Sequence, residues 1–313
     1  MEKRQLGNSD LQISPIAFGG NVFGWTIDEK TSFGLLDKFV AAGFNLIDTA
    51  DVYSSWVPGN KGGESETIIG NWVRARNNRD KVIIATKVGG DMGQGKKDTS
   101  KKYITKAVED SLRRLKTDYV DLYQTHWDVE TIPVEETLET YTGLIKGGKV
   151  RWIGASNMTL ARLKESLAAS RKNNYAQYQS LQPLYNLYER DRFEREFEQF
   201  CLDNNLGVLS YYSLASGFLT GKYRTEEDFS KSQRGGGIKK YMTERGKRII
   251  AALDDVAAKH RSTPAAVSLA WLIARPSVTA PIASATTDLQ LEAFVDAASL
   301  KLTEADLKAL DIL

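Results

Sequence analysis

Four residues of this 313-residue chain have the types needed to move a proton beside a buried charge: Asp48, Tyr53, Lys87 and His126. A free tyrosine gives up its proton only near pH ~10, so one that works near neutrality needs a cation beside it. Lys87 ends the apolar run Val82-Ile83-Ile84-Ala85-Thr86 and is suited to that task. In such a low-dielectric place it would stabilise the Tyr53 phenolate, while Asp48 would hold and satisfy the ammonium. His126 could donate a hydrogen bond to a bound oxygen or tune Tyr53. Each residue also has an ordinary reading. An Asp at a strand end caps the next helix, a loop Tyr packs with its hydroxyl wet, and a Lys after an apolar run reaches for solvent. A buried Lys87 is also a candidate Schiff-base nucleophile.

The elements that would position them are short β-rich runs alternating with longer segments of helical period, the pattern of parallel βαβ units. Strands are expected near Ile16 to Phe18, Phe44 to Ile47, Val82 to Thr86, Tyr119 to Thr125, Arg151 to Ala155, Tyr178 to Leu181, Val208 to Tyr211 and Val278 to Ile282. Helices are expected between them, for example Glu29 to Ala42, Glu64 to Arg76, Ser100 to Leu115, Val134 to Lys146, Leu160 to Ser170 and Arg192 to Asp203. Eight strand-helix units without a linker-like shift in composition predict one (β/α)8 TIM barrel over residues 1–313. An open doubly wound sheet would carry a G-x-G-x-x-G turn between strand and helix, and no such turn stands in that context. Ahead of the first strand, KRQLGNSDLQIS reads as a β-hairpin turning at Gly7 to Ser9, placed to cap the barrel bottom. Two longer polar stretches, Tyr53 to Gly63 and Gly221 to Thr243, read as lid or binding loops or as disordered segments.

Barrels do their chemistry at the strand C-termini, where the remaining polar residues gather. Ser156, Asn157 and Gln182 offer the amide and hydroxyl groups that bind a carboxamide, and Tyr211 offers a flat face. Together they suit a nicotinamide, which would give Tyr53 a hydride source to work with. The small, Gly-containing stretch SLASGFLTGK is the kind of loop that approaches a pyrophosphate. Trp25, Trp56 and Trp127 lie on the loops after strands one, two and four, with Met92 after strand three, and predict an aromatic-lined substrate pocket.

Composition excludes several other classes. Lys plus Arg number 42 against 40 Asp plus Glu, so the net charge of +2 implies no polyanion-binding face. No apolar run reaches the ~20 residues that span a bilayer. MEKRQLGNSD has no signal-like apolar core, which makes cytoplasmic location the expectation. The single cysteine, Cys201, is expected to be a buried structural thiol. With only two histidines, and His260 in a helical segment, a metal-dependent hydrolase is disfavoured and no metal site is expected. Oligomeric state, monomer or homo-oligomer, is left open.

The segments FNLIDTADVY, IIATK, DLYQTHW, WIGASN, LQPLYNLYER and SYYSLASGFLTGKY resemble the aldo-keto reductases nearly end to end. The resemblance implies an NAD(P)H-dependent interconversion of aldehydes or ketones and alcohols. It implies that Asp48, Tyr53, Lys87 and His126 form the catalytic tetrad, with Tyr53 the general acid/base. It places Ser156, Asn157 and Gln182 on the carboxamide and Tyr211 under the nicotinamide. Tyr212, Ser213, Leu214, Ala215, Ser216 and Gly217, with Lys222, fall where the family's loop meets the pyrophosphate. Ser284, Ala285, Thr286, Thr287 and Gln290 fall at the adenosine phosphate site. The family also includes non-catalytic potassium-channel β-subunits. Two departures matter: the S-P-L-G of many members is Tyr212-Ser213-Leu214-Ala215 here, and PIASATTDLQ lacks the Lys or Arg that some members set against a 2′-phosphate. NADP(H) is the preferred cofactor on the resemblance, NAD(H) is possible, and Lys222 and Arg234 are the distant cations available.

Overall fold

The structure is a computed structural model and describes residues 1–233 and 235–312. Eight parallel strands close into a barrel in chain order: β3 (Ala17–Gly19), β4 (Leu46–Asp48), β5 (Ile83–Val88), β6 (Val120–Thr125), β7 (Val150–Ser156), β8 (Tyr178–Gln182), β9 (Gly207–Ser210) and β10 (Val278–Ala283). The helices are α1 (Glu29–Ala41), α2 (Glu64–Arg76), α3 (Lys101–Leu115), α4 (Val134–Lys146), α5 (Leu160–Asn173), α6 (Gln199–Asp203), α7 (Glu244–His260), α8 (Pro264–Ala274), α9 (Asp288–Ser299) and α10 (Glu304–Leu310). Side chains of Asp28, Ser100, Thr159, Thr243, Thr263, Thr287 and Thr303 accept first-turn N–H bonds, which fixes where seven of these helices begin. The expected (β/α)8 barrel is the fold.

The expected hairpin is also present. β1 (Arg4–Gln5) pairs antiparallel with β2 (Gln12–Ile13). Its Leu6, Leu11 and Ile13 pack with Ala17, Leu46, Ala85, Leu122, Leu209, Ala280 and Ile282, the inward residues of the strands. The hairpin therefore plugs the barrel bottom with apolar surface. Observed strands run past several expected ends because the ladder continues through the polar residues Asp48, Lys87, Ser156 and Gln182, where hydrophobicity fades but pairing does not. Tyr211 lies one residue beyond β9, bridged to Leu184. The expected helix from Arg192 is π-helical over Phe193–Glu198 before α6 begins. Cys201 is buried as expected, and burial pushes its thiol up to about 12.

Side-chain alternation along each strand decides which residues can meet at the barrel's upper end. Leu46, Ala85 and Leu122 face inward, so Asp48, Lys87 and Gln124, two residues on, face inward as well. Lys87 lies opposite Gln124, Gln124 opposite Gly154, and Ser156 opposite Gln182. Gly154 is the residue that makes this layer fit. A Cβ there would stand 2.3 Å from Ser180 Oγ and 3.1 Å from Gln124 Cγ.

Both long loops are folded. In the first, Ser54 Oγ donates to Phe23 O at 2.7 Å, and Asn60 Nδ2 donates to Gly24 O and Ser54 O at 3.1 Å each. The second carries 3-10 turns at Glu226–Lys231, Gly235–Gly237 and Lys239–Tyr241; Arg234 lies outside the described residues. Among the described residues no helix is long and apolar enough to cross a membrane. Gly154→Ala is expected to cost about 1–3 kcal/mol in a denaturant melt through overpacking of the inner layer.

Candidate active site

Lys87 is the centre of the site. It is fully buried, and its Nζ donates to Asp48 Oδ2 at 2.6 Å, to the carbonyl of Thr49 at 2.8 Å and to Tyr53 OH at 3.0 Å. Three acceptors satisfy its three N–H groups. Asp48, 1% exposed, uses its other oxygen to accept from Gln182 Nε2 at 2.9 Å and Gln124 Nε2 at 3.1 Å. β4, β5, β6 and β8 thus each send one inward side chain to a shared charge. Tyr53 arrives from the loop after β4, and the Lys87 ammonium also sits 4.7 Å from its ring centroid.

Opposing effects set the protonation states. Burial pushes the Lys87 ammonium down, but Asp48 and then Tyr53 outweigh it, and the net direction is up. A lysine held charged by three acceptors is a poor Schiff-base nucleophile. For Tyr53 burial raises the pKa, Lys87 lowers it and Asp48 raises it again; the net shift is upward. The expectation that Lys87 brings Tyr53 down therefore holds for one contribution and fails for the sum, because the whole triad is out of water. The hydroxyl rests as neutral phenol. Burial, with Lys87 and Lys97 adding to it, drives His126 well below its ordinary value, so the imidazole is neutral. Its Nδ1 is buried without a partner, and its ring stacks on Trp127 at 3.6 Å between centroids.

The residues expected around a nicotinamide form a second connected set. Asn157 has φ 45° and donates from Nδ2 to the His126 carbonyl at 2.9 Å and to Ser156 Oγ at 3.3 Å. Its Oδ1 accepts from Tyr211 OH at 3.1 Å, and Ser156 Oγ donates to the Gln182 carbonyl at 2.9 Å. Gln182 Nε2 is already committed to Asp48 and Gln124, so only its Oε1 is left to offer a ligand. The half-buried Tyr211 is anchored through its hydroxyl rather than loose.

Whether this edge fits a dinucleotide is tested by its backbone. Tyr212, Ala215, Ser216 and Gly217 have φ of 54°, 47°, 56° and 96°. Three consecutive left-handed residues make a tight turn in which the Ala215 N–H donates to Tyr212 O at 2.7 Å and the Gly217 N–H to Leu214 O at 2.8 Å, and non-glycine residues adopt it only at a cost. The turn forms without the family's proline. Lys222 lies over it, since a Cβ on Gly217 would stand 3.5 Å from Lys222 Nζ. What this turn offers an anion is the Lys222 ammonium beside Gly217. Ser213, Ala215 and Ala285 are buried in protein, so what they offer is backbone. Ser284 Oγ donates to Asn21 Oδ1 at 2.7 Å; Gln290 Oε1 accepts from Thr286 N and Oγ1 at 2.8 and 3.1 Å; Thr287 caps α9. At that end Asp288 is ion-paired with Lys38.

Aromatic rings stand around Tyr53 and His126 as expected. Trp25 meets Trp56 edge-on at 5.4 Å, Trp56 lies 6.1 Å from Tyr53, and Tyr53 is 6.0 Å from His126. Met92 packs on Gly62, where a Cβ would meet its Sδ at 2.9 Å. Lys97 caps the Trp127 ring at 5.0 Å.

Fold and site together define a closed parallel barrel with a buried Asp48–Lys87–Tyr53 cluster at its strand C-termini. The sequence signature described as the Aldo/keto reductase family matches residues 15–313. The chain is 33% identical to "Aldo-keto reductase YhdN" of Bacillus subtilis (strain 168), over 98% of this chain and 92% of that one. It is 31% identical to "Protein tas" of Escherichia coli (strain K12), over 97% and 95%. It is 33% identical to "Uncharacterized oxidoreductase YrpG" of Bacillus subtilis (strain 168), over 99% and 95%. The chain belongs to the aldo-keto reductase family, which supports a nicotinamide-dependent oxidoreductase acting on carbonyl groups.

Gln124, which no motif singles out, proves to hold Asp48; its signal was its inward parity with Lys87. Thr49, through its carbonyl, and Lys97 were not legible at all. Lys87→Met strands the Asp48 carboxylate and is expected to cost about 3–5 kcal/mol in denaturant, as loss of one buried partner does. Adding Asp48→Asn should restore part of that loss, and a double variant no more stable than the single one would contradict the pairing.

Proposed function

We propose that the protein reduces aldehydes or ketones to alcohols, and runs the reverse reaction, with Tyr53 as general acid/base and the whole barrel, residues 1–313, as one catalytic domain in the cytoplasm. The observation that carries this reading is the 3.0 Å hydrogen bond from Lys87 Nζ to Tyr53 OH above the buried Asp48. A bound nicotinamide supplies or accepts a hydride at its C4. Ser156, Asn157 and Gln182 Oε1 would hold its carboxamide, with Tyr211 under the ring. The 212–217 turn and Lys222 would hold the pyrophosphate.

The chain's own groups then do the following. Neutral His126 and Tyr53 fix a carbonyl oxygen between them. As negative charge builds on that oxygen, Tyr53 OH gives it the proton. Lys87, already on the phenol oxygen, stabilises the phenolate left behind, and Asp48 keeps Lys87 charged without moving. Trp25, Trp56 and Trp127 exclude water and favour substrates with an apolar or aromatic group on the carbonyl carbon. Tyr53→Phe should lower kcat by about 10²–10⁴-fold while leaving cofactor affinity within a few-fold. Unchanged turnover on a panel of aldehydes, ketones and sugar-like alcohols would remove Tyr53 from the reaction.

For the cofactor we favour NADP(H), with NAD(H) accepted. The N-terminal end of α9 and Lys38 favour a 2′-phosphate, while Asp288 repels it and neutralises Lys38. The two effects nearly cancel, so the preference is small. Asp288→Asn should tighten NADPH relative to NADH by about fivefold, the equivalent of ~1 kcal/mol between exposed charges. Fluorescence-quenching titrations with both cofactors measure that ratio, and an unchanged ratio would place the 2′-phosphate elsewhere.

A further inference from the structure

Two residues before Tyr53, Asp51 is 1% exposed and poorly partnered. Its Oδ1 accepts only from the Val52 N–H, at 2.7 Å, and its Oδ2 is buried with no partner. Its neighbour Glu66, on α2, is fully buried and fully engaged: Oε2 accepts from Arg114 Nε at 2.6 Å and Oε1 from Thr86 Oγ1 at 2.6 Å. This enclosure lies behind β5 and β6, on the far side of the barrel wall from Asp48. The charged and titratable groups acting on or sensing Asp51 are Glu66 on α2, Arg114 and Tyr103 on α3, Lys87 on β5, Tyr123 on β6 and Tyr141 on α4. The hydroxyl of Tyr123 is itself buried without a partner. Lys87 is taken by Asp48, so the pocket holds two carboxyl groups and one available cation, Arg114, which Glu66 already claims. A second buried carboxylate there would have neither a counter-charge nor a donor for Oδ2.

We propose that Asp51 is a positioning residue that holds a proton at neutral pH, and that its ionisation loosens the Tyr53 loop and so sets an alkaline limit to activity. The link to the loop is direct. The Asp51 N–H donates to the Lys87 carbonyl at 3.3 Å and ties the chain ahead of Tyr53 to β5. An ionised Asp51 beside Glu66 draws this segment toward water and takes Tyr53 OH off Lys87 Nζ. Burial, then Glu66, push the Asp51 carboxyl up to about 8, against the Val52 N–H, Arg114 and Lys87. The folded chain therefore keeps a proton that the unfolded chain has released above pH ~4. From there to about pH 8 each unit of pH costs up to tenfold in the folding constant, and above about 8 the loss levels off.

The inference rests on Tyr53 as the acid, and three readouts on the full-length protein separate the two. Infrared difference spectra of wild type minus Asp51→Asn at pH 7 should show the C=O stretch of a protonated carboxyl. Folding constants of wild type and Asp51→Asn should diverge in favour of the variant as pH rises, by up to tenfold per unit below about 8, and run parallel above it. The kcat profile of the wild type should fall near pH 8, a limb that Asp51→Asn lacks while KM stays put. Glu66→Gln, as a second variant, should move the wild-type divergence to lower pH. No carboxyl band together with parallel melts overturns the proposal. So does an alkaline kcat limb that survives in Asp51→Asn. Diverging melts in a protein that turns over no carbonyl would instead refute the role of Tyr53 and not the proton on Asp51.

Discussion

A lysine ammonium inside a sealed barrel is the constraint around which this molecule is built. Water supplies none of its hydrogen bonds, so Asp48, the Thr49 carbonyl and Tyr53 must, and they do so within 2.6–3.0 Å. Asp48 can act only if its second oxygen is also satisfied, which recruits Gln124 and Gln182 from two further strands. Gln124 in turn needs the space that Gly154 leaves. Such a network is destabilising if half made and rigid when complete. In the reaction we propose, that rigidity is what counts, because a phenol held against a fixed cation needs no reorganisation when it loses its proton.

Much of this was legible in the sequence, and the reasons are physical. Alternating strand and helix periods revealed eight units, and the side-chain period of two in a strand carried Asp48, Lys87, Gln124 and Gln182 to one inner layer once a single inward residue was known. Strand ends were placed one or two residues short where the ladder runs on through polar side chains. Gln124 could be placed at the end of its strand but given no role, because an inward glutamine looks like any other polar residue until its acceptor is known. The sign of the Tyr53 shift was misjudged for a related reason: a sequence shows which charges lie nearby but not how completely all of them are dried, and burial was the larger effect.

The loops show the other limit. Loss of a proline at Ser213-Leu214 left the 212–217 turn undetermined from sequence, yet the chain reaches a left-handed run through Ala215, Ser216 and Gly217, held by bonds such as Gly217 N–H to Leu214 O at 2.8 Å. Strain of this kind persists where surrounding packing over-determines it, here with Ala215 and Phe218 buried beneath. At the far end Asp288 and Lys38 come from segments 250 residues apart, so no local motif could announce that the start of α9 carries both signs of charge.

The most direct test of the central claim follows a labelled hydride rather than a rate. NAD(P)H carrying deuterium at both C4 positions would be mixed with an aromatic aldehyde, and the alcohol analysed by mass and NMR for the wild type and for Lys87→Met. Deuterium is expected on the carbinol carbon, with none exchanged with water, in the wild type, and far less product from the variant in the same time. Alcohol formed without the label, or label transfer of equal extent in both proteins, would contradict the claim.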